Sequence, residues 1–181
     1  MRSYHFNKWF RGLGVFLGMS CIIAHAQQAV IVKMHAVTDE GVGELIGTIR
    51  LENSRYGLLL HPDIKGLEPG PHGFHLHQHP NCGVSVGKDG IVTPGGAAGG
   101  HFDPLETGRH AGPYATGHLG DLPVLMVNPD RTASIPLLAP RLMIKDLRKH
   151  ALIVHVRSDN YSDDPKPLGG GGPRAGCGVI R

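Results

Sequence analysis

Glu44-Leu45-Ile46-Gly47-Thr48-Ile49-Arg50-Leu51 and Tyr56-Gly57-Leu58-Leu59-Leu60, joined around Asn53-Ser54, decide the fold class. Both runs are short, rich in aliphatic and β-branched residues and separated by turn formers, so they read as an antiparallel hairpin. Val30-Ile31-Val32-Lys33-Met34-His35-Ala36-Val37 supplies a strand before it. Gly73-Phe74-His75-Leu76-His77 supplies a short one after the turn Leu67-Glu68-Pro69-Gly70. Leu122-Pro123-Val124-Leu125-Met126-Val127, the turn Asn128-Pro129-Asp130 and Arg131 to Leu138 read as a second hairpin, while Ala151 to Val156 and Gly178 to Ile180 add later strands. Arg141 to His150 is the one candidate for a helical turn or short helix. Short strands at this spacing predict an all-β sandwich or barrel. Gln78 to about Asp121 and Ser158 to about Gly176 carry no period, and loops of that length inside a compact domain are commonly functional.

The 181 residues suffice for one domain, and 27 Gly with 14 Pro mark many turns without a collagen-like repeat. Arg2, Lys8 and Arg11 are the only charged side chains before Gln27, and they account for the whole excess of 18 Lys and Arg over 15 Asp and Glu. The remaining chain is formally neutral, which argues against a nucleic-acid partner held by bulk charge. Residues 1–26 combine a basic start, the apolar run Leu13 to Ile23 and the small-residue pattern Ala24-His25-Ala26. That is an export signal cleaved after Ala26, with an apolar run well short of the ~20 residues a membrane-spanning helix needs. An uncleaved anchor is the alternative, and Cys21 reads as apolar filler rather than a lipid attachment site. The expected domain is therefore 27–181, periplasmic or otherwise exported, with no membrane attachment after cleavage. In an oxidising compartment Cys82 and Cys177 most simply pair, and two free thiols are the alternative.

His75 and His77 stand two residues apart, so a regular strand sends both imidazoles to one face, where a single ion can collect them. A surface strand with two histidines is commonplace, and this pair alone is weak. His101, His110 and His118, followed by Asp121, add nitrogen donors and a carboxylate suited to zinc. His155 lies on a strand with Asp159 just beyond it, and imidazole-only ligation suits cupric copper.

These residues fall in six ordered motifs. They are Gly73-Phe74-His75-Leu76-His77, Gly99-Gly100-His101-Phe102-Asp103-Pro104, His110-Ala111-Gly112-Pro113 and Gly117-His118-Leu119-Gly120-Asp121-Leu122-Pro123. The last two are Ile153-Val154-His155 with Asp159-Asn160-Tyr161-Ser162-Asp163, and the stretch from Gly169 through Arg174 and Cys177 to Ile180. Through them the chain resembles the copper/zinc superoxide dismutases of the bacterial exported type over essentially all of residues 27–181. The resemblance implies an eight-stranded Greek-key β-barrel with two long site-forming loops, and dismutation of superoxide to dioxygen and hydrogen peroxide by a redox-cycling copper. It makes His75, His77, His101 and His155 copper ligands, and His101, His110, His118 and Asp121 zinc ligands, with His101 shared. Asp159 becomes the carboxylate linking a copper histidine to a zinc histidine. Arg174 becomes the arginine guiding the anion, His101 the carrier of a proton, and Cys82 to Cys177 the family disulfide.

Val156-Arg157-Ser158, Pro173 and Ala175-Gly176 depart from the usual bacterial pattern beside the copper approach. Arg157 adds a positive charge there, and Lys88 stands where bacterial members often place a guiding lysine. His72 resembles a family histidine that supports the strand by hydrogen bonding. His35, His61, His79 and His150 read as surface or partly packed residues, while His5 and His25 belong to the signal. A non-catalytic copper-buffering protein of the envelope is the alternative function, discriminated by turnover. A zinc hydrolase is disfavoured because four protein ligands leave no open position for water. Monomer and homodimer both remain open.

Overall fold

The computed structural model describes Met1 and residues 29–181, so the export signal read at 1–26 lies, Met1 apart, outside the described residues. Among the described residues no helix is long and apolar enough to cross a membrane. Strands β1 (Val30–Thr38), β2 (Gly41–Ser54) and β3 (Gly57–Lys65) run as a meander. The hairpin around Asn53-Ser54 forms as expected, with Leu51 opposite Leu60 and Ser54 opposite Gly57. Next come β4 (Gly70–His72), β5 (Phe74–His77) and the short β6 (Ser85–Val86) and β7 (Val92–Thr93). They are followed by β8 (Leu125–Val127), β9 (Thr132–Ala133), β10 (Leu137–Ala139), β11 (His150–His155) and β12 (Arg174–Ile180). The main sheet is an eight-stranded antiparallel surface in the order β10-β3-β2-β1-β12-β11-β5, with β9 also on β3, curled as a half-barrel. Pairing of β1 with β12, and of β11 with β5, gives the crossed connections of a Greek key.

One local expectation changes and a second narrows. The strands flanking Asn128-Pro129-Asp130 do not pair with each other: β8 pairs with β4, while β9 and β10 pair with β3. The turn itself closes, with the Asn128 N–H donating to Thr132 O at 2.7 Å. Beyond it, Pro123 and Pro136 lack the backbone donors that a continuous ladder between these segments would use. Of Arg141 to His150, only Ile144–Asp146 forms a 3₁₀ turn. Its backbone donors are taken locally and by the sheet: the Met143 N–H donates to Asp146 Oδ2 at 2.9 Å and the Ile144 N–H to Asn53 Oδ1 at 2.8 Å.

The period-2 alternation of the strands sets what lies inside. Val32 and Met34 on β1, Ile49 and Leu51 on β2, and Leu58, Leu60 and Ile64 on β3 are buried in one core. Phe74 and Leu76 join it from β5, as do Leu152 and Val154 from β11. Yet every residue of β5 is buried, as is β11 from Ala151 to His155. The reason is that the outer face of these two strands is covered as well. His75 and His77 stand there opposite Ile153 and Ala151, and Ile153, Ala151, Ala98, Val37 and the two cysteines make a second apolar cluster. A one-residue slip of β5 would drive both histidines into the aliphatic core, so burial on both faces fixes the register.

Cys82 and Cys177 form a disulfide with Cα atoms 5.7 Å apart, pinning the long loop to β12 across a separation of 95 residues. Loop-closure entropy for a ring of that size contributes about 4 to 5 kcal/mol.

Candidate metal centre

Four imidazoles converge over the outer face of β5 and the end of β11. His75 and His77 arrive from β5, and His155 from the last position of β11. Between Val154 and His155 the ladder to β12 shifts register, so that His155 lies opposite Arg174 rather than Ala175. Such a bulge re-aims a side chain at the rim of a sheet. His101 is brought in by the long loop, where it makes an isolated bridge with His77. Its ring stacks on that of His75 at 3.9 Å between centroids. One donor atom from each of His75, His77, His101 and His155 falls within 4.8 Å of the other three.

A second group adjoins the first. Asp121 Oδ1 lies 2.9 Å from His101 Nδ1, 3.0 Å from His110 Nδ1 and 3.4 Å from His118 Nδ1. The donors that gather within 4.8 Å of one another here are those of His75, His101, His110 and Asp121, with the His75 ring stacked on that of His101. The His118 ring stands farther out, 5.4 Å from His101 and 6.1 Å from His110 between centroids. It nevertheless turns Nδ1 to the same carboxylate oxygen as His101 and His110.

Whether these residues suit the implied metals is decided by their nitrogen atoms. His75 Nε2 donates to Asp159 Oδ2 at 2.7 Å, His77 Nδ1 to Gly99 O at 2.9 Å and His155 Nδ1 to Gly172 O at 2.8 Å. His110 Nε2 donates to Asp159 Oδ1 at 2.8 Å. Where the ring is neutral, as at His75, His77 and His155, each fixes the tautomer, so the opposite nitrogen carries a lone pair. Those opposite atoms, His75 Nδ1, His77 Nε2, His155 Nε2 and His110 Nδ1, are buried without a hydrogen-bond partner, as is His118 Nδ1. Buried polar atoms are rarely left so, and a set that is orphaned together and held by donation at the far side has the chemistry of a metal site. All-nitrogen donors in one group suit copper, and three imidazoles with a carboxylate suit zinc.

Electrostatics divides the two groups. Burial, then the neighbouring His101 charge, pushes the His75 and His77 imidazoles well below their ordinary range, and burial brings His155 down to about 4. These rings are neutral at pH 7, as nitrogen ligands must be. At His110 burial opposes charge, but the Asp121 and Asp159 carboxylates on its two sides prevail and raise it to about 9. Both carboxyls are in turn held well below the usual range despite burial, Asp121 by His101 and His110, and Asp159 by His110 and His75.

Arg174 sits beside the all-nitrogen group, with Nη2 donating to Gly99 O at 2.6 Å and Nη1 to Gly95 O. Its charge is near enough to lower the affinity of His77 and His155 for protons. Arg157 is exposed and lays its guanidinium against Gly172, while Lys88 is exposed in the turn between β6 and β7, away from any contact that assigns it a role. His72 is buried, with Nδ1 2.6 Å from His155 O and Nε2 2.7 Å from Glu68 O, a position that braces the end of β11.

Three residues to which the sequence assigns no role hold the loops, two of them, Tyr161 and Asp163, inside the motif that begins at Asp159. Asp163 accepts the His110 N–H at 2.9 Å and the Leu168 N–H at 3.1 Å. Tyr161, at φ 59°, donates its N–H to Asp159 Oδ1 at 2.7 Å and accepts the Val124 N–H on its hydroxyl at 2.9 Å. A Cβ at Gly112 would lie 2.6 Å from the Tyr161 ring, so only glycine fits there. Arg141 donates to four loop carbonyls. Asp159 is thereby fixed on three sides and joins a residue of the first group to one of the second.

Known proteins resemble this chain over most of its length. The family model for copper/zinc superoxide dismutase (SODC) matches residues 45–180. The chain is 52% identical over 151 residues to superoxide dismutase [Cu-Zn] 2 of Salmonella typhimurium, covering 83% of this chain and 87% of that one. Among solved structures it is similar to the Cu/Zn superoxide dismutase from Brucella abortus, with a TM-score of 0.83 and 44% identity over 85% of this chain and all of that one. It is also similar to the monomeric copper, zinc superoxide dismutase from Salmonella enterica, with a TM-score of 0.77 and 50% identity over the same shares.

Proposed function

The chain belongs to the copper/zinc superoxide dismutase family and dismutates superoxide with copper and zinc as cofactors, and from that premise we propose the division of labour among its residues. His75, His77, His101 and His155 hold copper. His101, His110, His118 and Asp121 hold zinc, with His101 common to both. The observation that carries this reading is the set of buried, unpartnered imidazole nitrogens, most of them on rings anchored by a bond from the other nitrogen.

Two superoxide ions and two protons become one dioxygen and one hydrogen peroxide. Copper, when bound, supplies the one-electron chemistry by which one superoxide is oxidised and the next reduced, and zinc supplies none. The chain's own residues capture the anion, orient it and deliver a proton. Arg174 attracts and orients the substrate with a guanidinium that stays charged at any working pH, fixed by the Gly95 and Gly99 carbonyls. His101 turns Nδ1 toward Asp121, the side on which zinc would be held, which leaves Nε2 to hold a proton and pass it to the reduced substrate. Asp159 orients His75 and His110 together.

Residues 1–26 form the export signal and 27–181 the dismutase domain, which works in the periplasm; the disulfide supports an oxidising compartment. All proposed ligands come from one chain, so a monomer suffices, as in the Salmonella enterica relative, and a homodimer would add no ligand.

Arg174→Ala is expected to slow superoxide decay by about tenfold or more while copper and zinc contents stay at one each, because a guiding charge sets capture rather than ligation. Stopped-flow decay with metal analysis tests it. Loss of either metal, or an unchanged rate, would remove Arg174 from this role.

A further inference from the structure

Arg141 follows β10 and Pro140, in the stretch that the sequence reading treats only as a candidate helix. Its side chain does something more specific. Nε donates to Pro113 O at 3.0 Å and Nη1 to Gly117 O at 3.2 Å, while Nη2 donates to Gly112 O at 3.1 Å and to His118 O at 2.6 Å. Four hydrogen bonds from one guanidinium thus end on one loop, and among the described residues no ion pair accompanies them. That loop lies between His110 and His118 and is closed at its base by the His118 N–H on Arg109 O at 2.8 Å. It carries Gly112 in the left-handed region at φ 71°, and Gly117 and Gly120 beyond.

Glycine-rich backbone loses much conformational freedom on ordering, and carbonyl dipoles turned toward one point repel one another. A planar fork of N–H donors answers both, gathering the carbonyls from inside the turn. Arg141 can do so because its own backbone is rigid: Ala139 and Leu142 on either side are buried in the core, and Ile144 is bonded to Asn53 on β2. None of its side-chain bonds goes to the barrel. The Asp121 carboxylate favours its charge, which partly offsets the cost of burying the guanidinium.

We propose that Arg141 is a positioning residue for zinc: it holds the 112–118 turn so that His110 and His118 already point at Asp121 when the ion arrives. The proposal rests on the assignment of those three residues as zinc ligands. A preformed turn moves the ordering penalty from metal binding to folding, so Arg141 acts on zinc affinity and leaves the copper group, held by β5, β11 and the Gly99 and Gly172 carbonyls, unaffected.

The test uses the copper-loaded, disulfide-bonded protein and measures zinc and cobalt(II) affinity by competition with a chelator, with the visible bands of tetrahedral cobalt as a readout of site geometry. The variants are Arg141→Met, Arg141→Lys and Asp121→Asn. Arg141→Met is expected to weaken zinc and cobalt binding by about 10- to 100-fold, the range for partners standing behind metal ligands, and to broaden the cobalt bands. Arg141→Lys recovers part of the loss, since an ammonium restores the charge without the fork, and it serves as the reading if the Met variant does not fold. Copper affinity stays unchanged in both. Zinc affinity in both Arg141 variants equal to that of the unaltered protein, or copper affinity falling by the same factor as zinc, overturns the proposal. Asp121→Asn reports separately on the ligand assignment: if it binds zinc as tightly as the unaltered chain, that assignment fails, whatever Arg141 does.

Discussion

His101→Ala is expected to weaken zinc and copper binding together, each by more than about 100-fold, and to abolish rapid superoxide decay. His75 and His101 both lie in the two clusters, but only His101 also turns a ring nitrogen to Asp121, at 2.9 Å, while its ring stacks on His75. Changing a partner behind a ligand already costs about 10- to 100-fold, so deleting one of four donors at each of two ions exceeds that. The loss also takes away the proton carrier. Truncation leaves the sheet intact, because His101 lies on the long loop and contributes only an isolated bridge to β5. Metal competition and stopped-flow decay on the same preparation make the check. Zinc affinity unchanged, with copper alone affected, would show that His101 is not shared.

Asp159→Asn carries the second largest effect. The substitution keeps volume but replaces one accepting oxygen by an N–H₂, so either His75 Nε2 or His110 Nε2 meets a donor instead of an acceptor. Zinc affinity is expected to fall by about 10- to 100-fold, and copper affinity less, since His75 is one of four imidazoles in its group. A pH signature accompanies it. With His110 raised to about 9, zinc must displace a proton from it at neutral pH, and affinity climbs as pH rises toward about 9. The sign for folding is the opposite. The raised imidazolium stabilises the chain fully below its ordinary pKa, and that contribution disappears as pH rises through about 9. Removing the Asp159 charge lowers the His110 pKa, so the zinc-affinity profile of the Asn variant flattens at a lower pH. Zinc titrations from pH 6 to 10 on both proteins measure it; superimposable profiles contradict the role of Asp159.

Local chemistry made the strands and the candidate ligands legible. The hairpin at Asn53-Ser54 follows from a period of 2 and a turn, and His75-Leu76-His77 shares a face because of the same period. Joining those two histidines to His155, and to the set around Asp121, required the resemblance, since nothing in the spacing relates positions 80 residues apart. What stayed hidden is held by long-range backbone pairing. The partnership of β8 with β4 leaves no local period, and Arg131 to Leu138 looks like a return strand until Pro136 divides it. The roles of Arg141, Tyr161 and Asp163 were hidden for a related reason. Each acts on carbonyl or N–H groups of a distant loop, and backbone acceptors carry no sequence signature. Even Arg174 opposite His155 depends on a one-residue bulge that the sequence of β12 does not announce.

The most direct test of the central claim is the superoxide decay rate of residues 27–181, metal-stripped and then reloaded with copper and zinc, against free copper at equal concentration. Rapid decay that requires the protein, appears only with copper and exceeds the free ion is the expected result. Decay no faster than free copper at full occupancy of both sites would contradict it, and would leave a chain that binds copper without turning over superoxide.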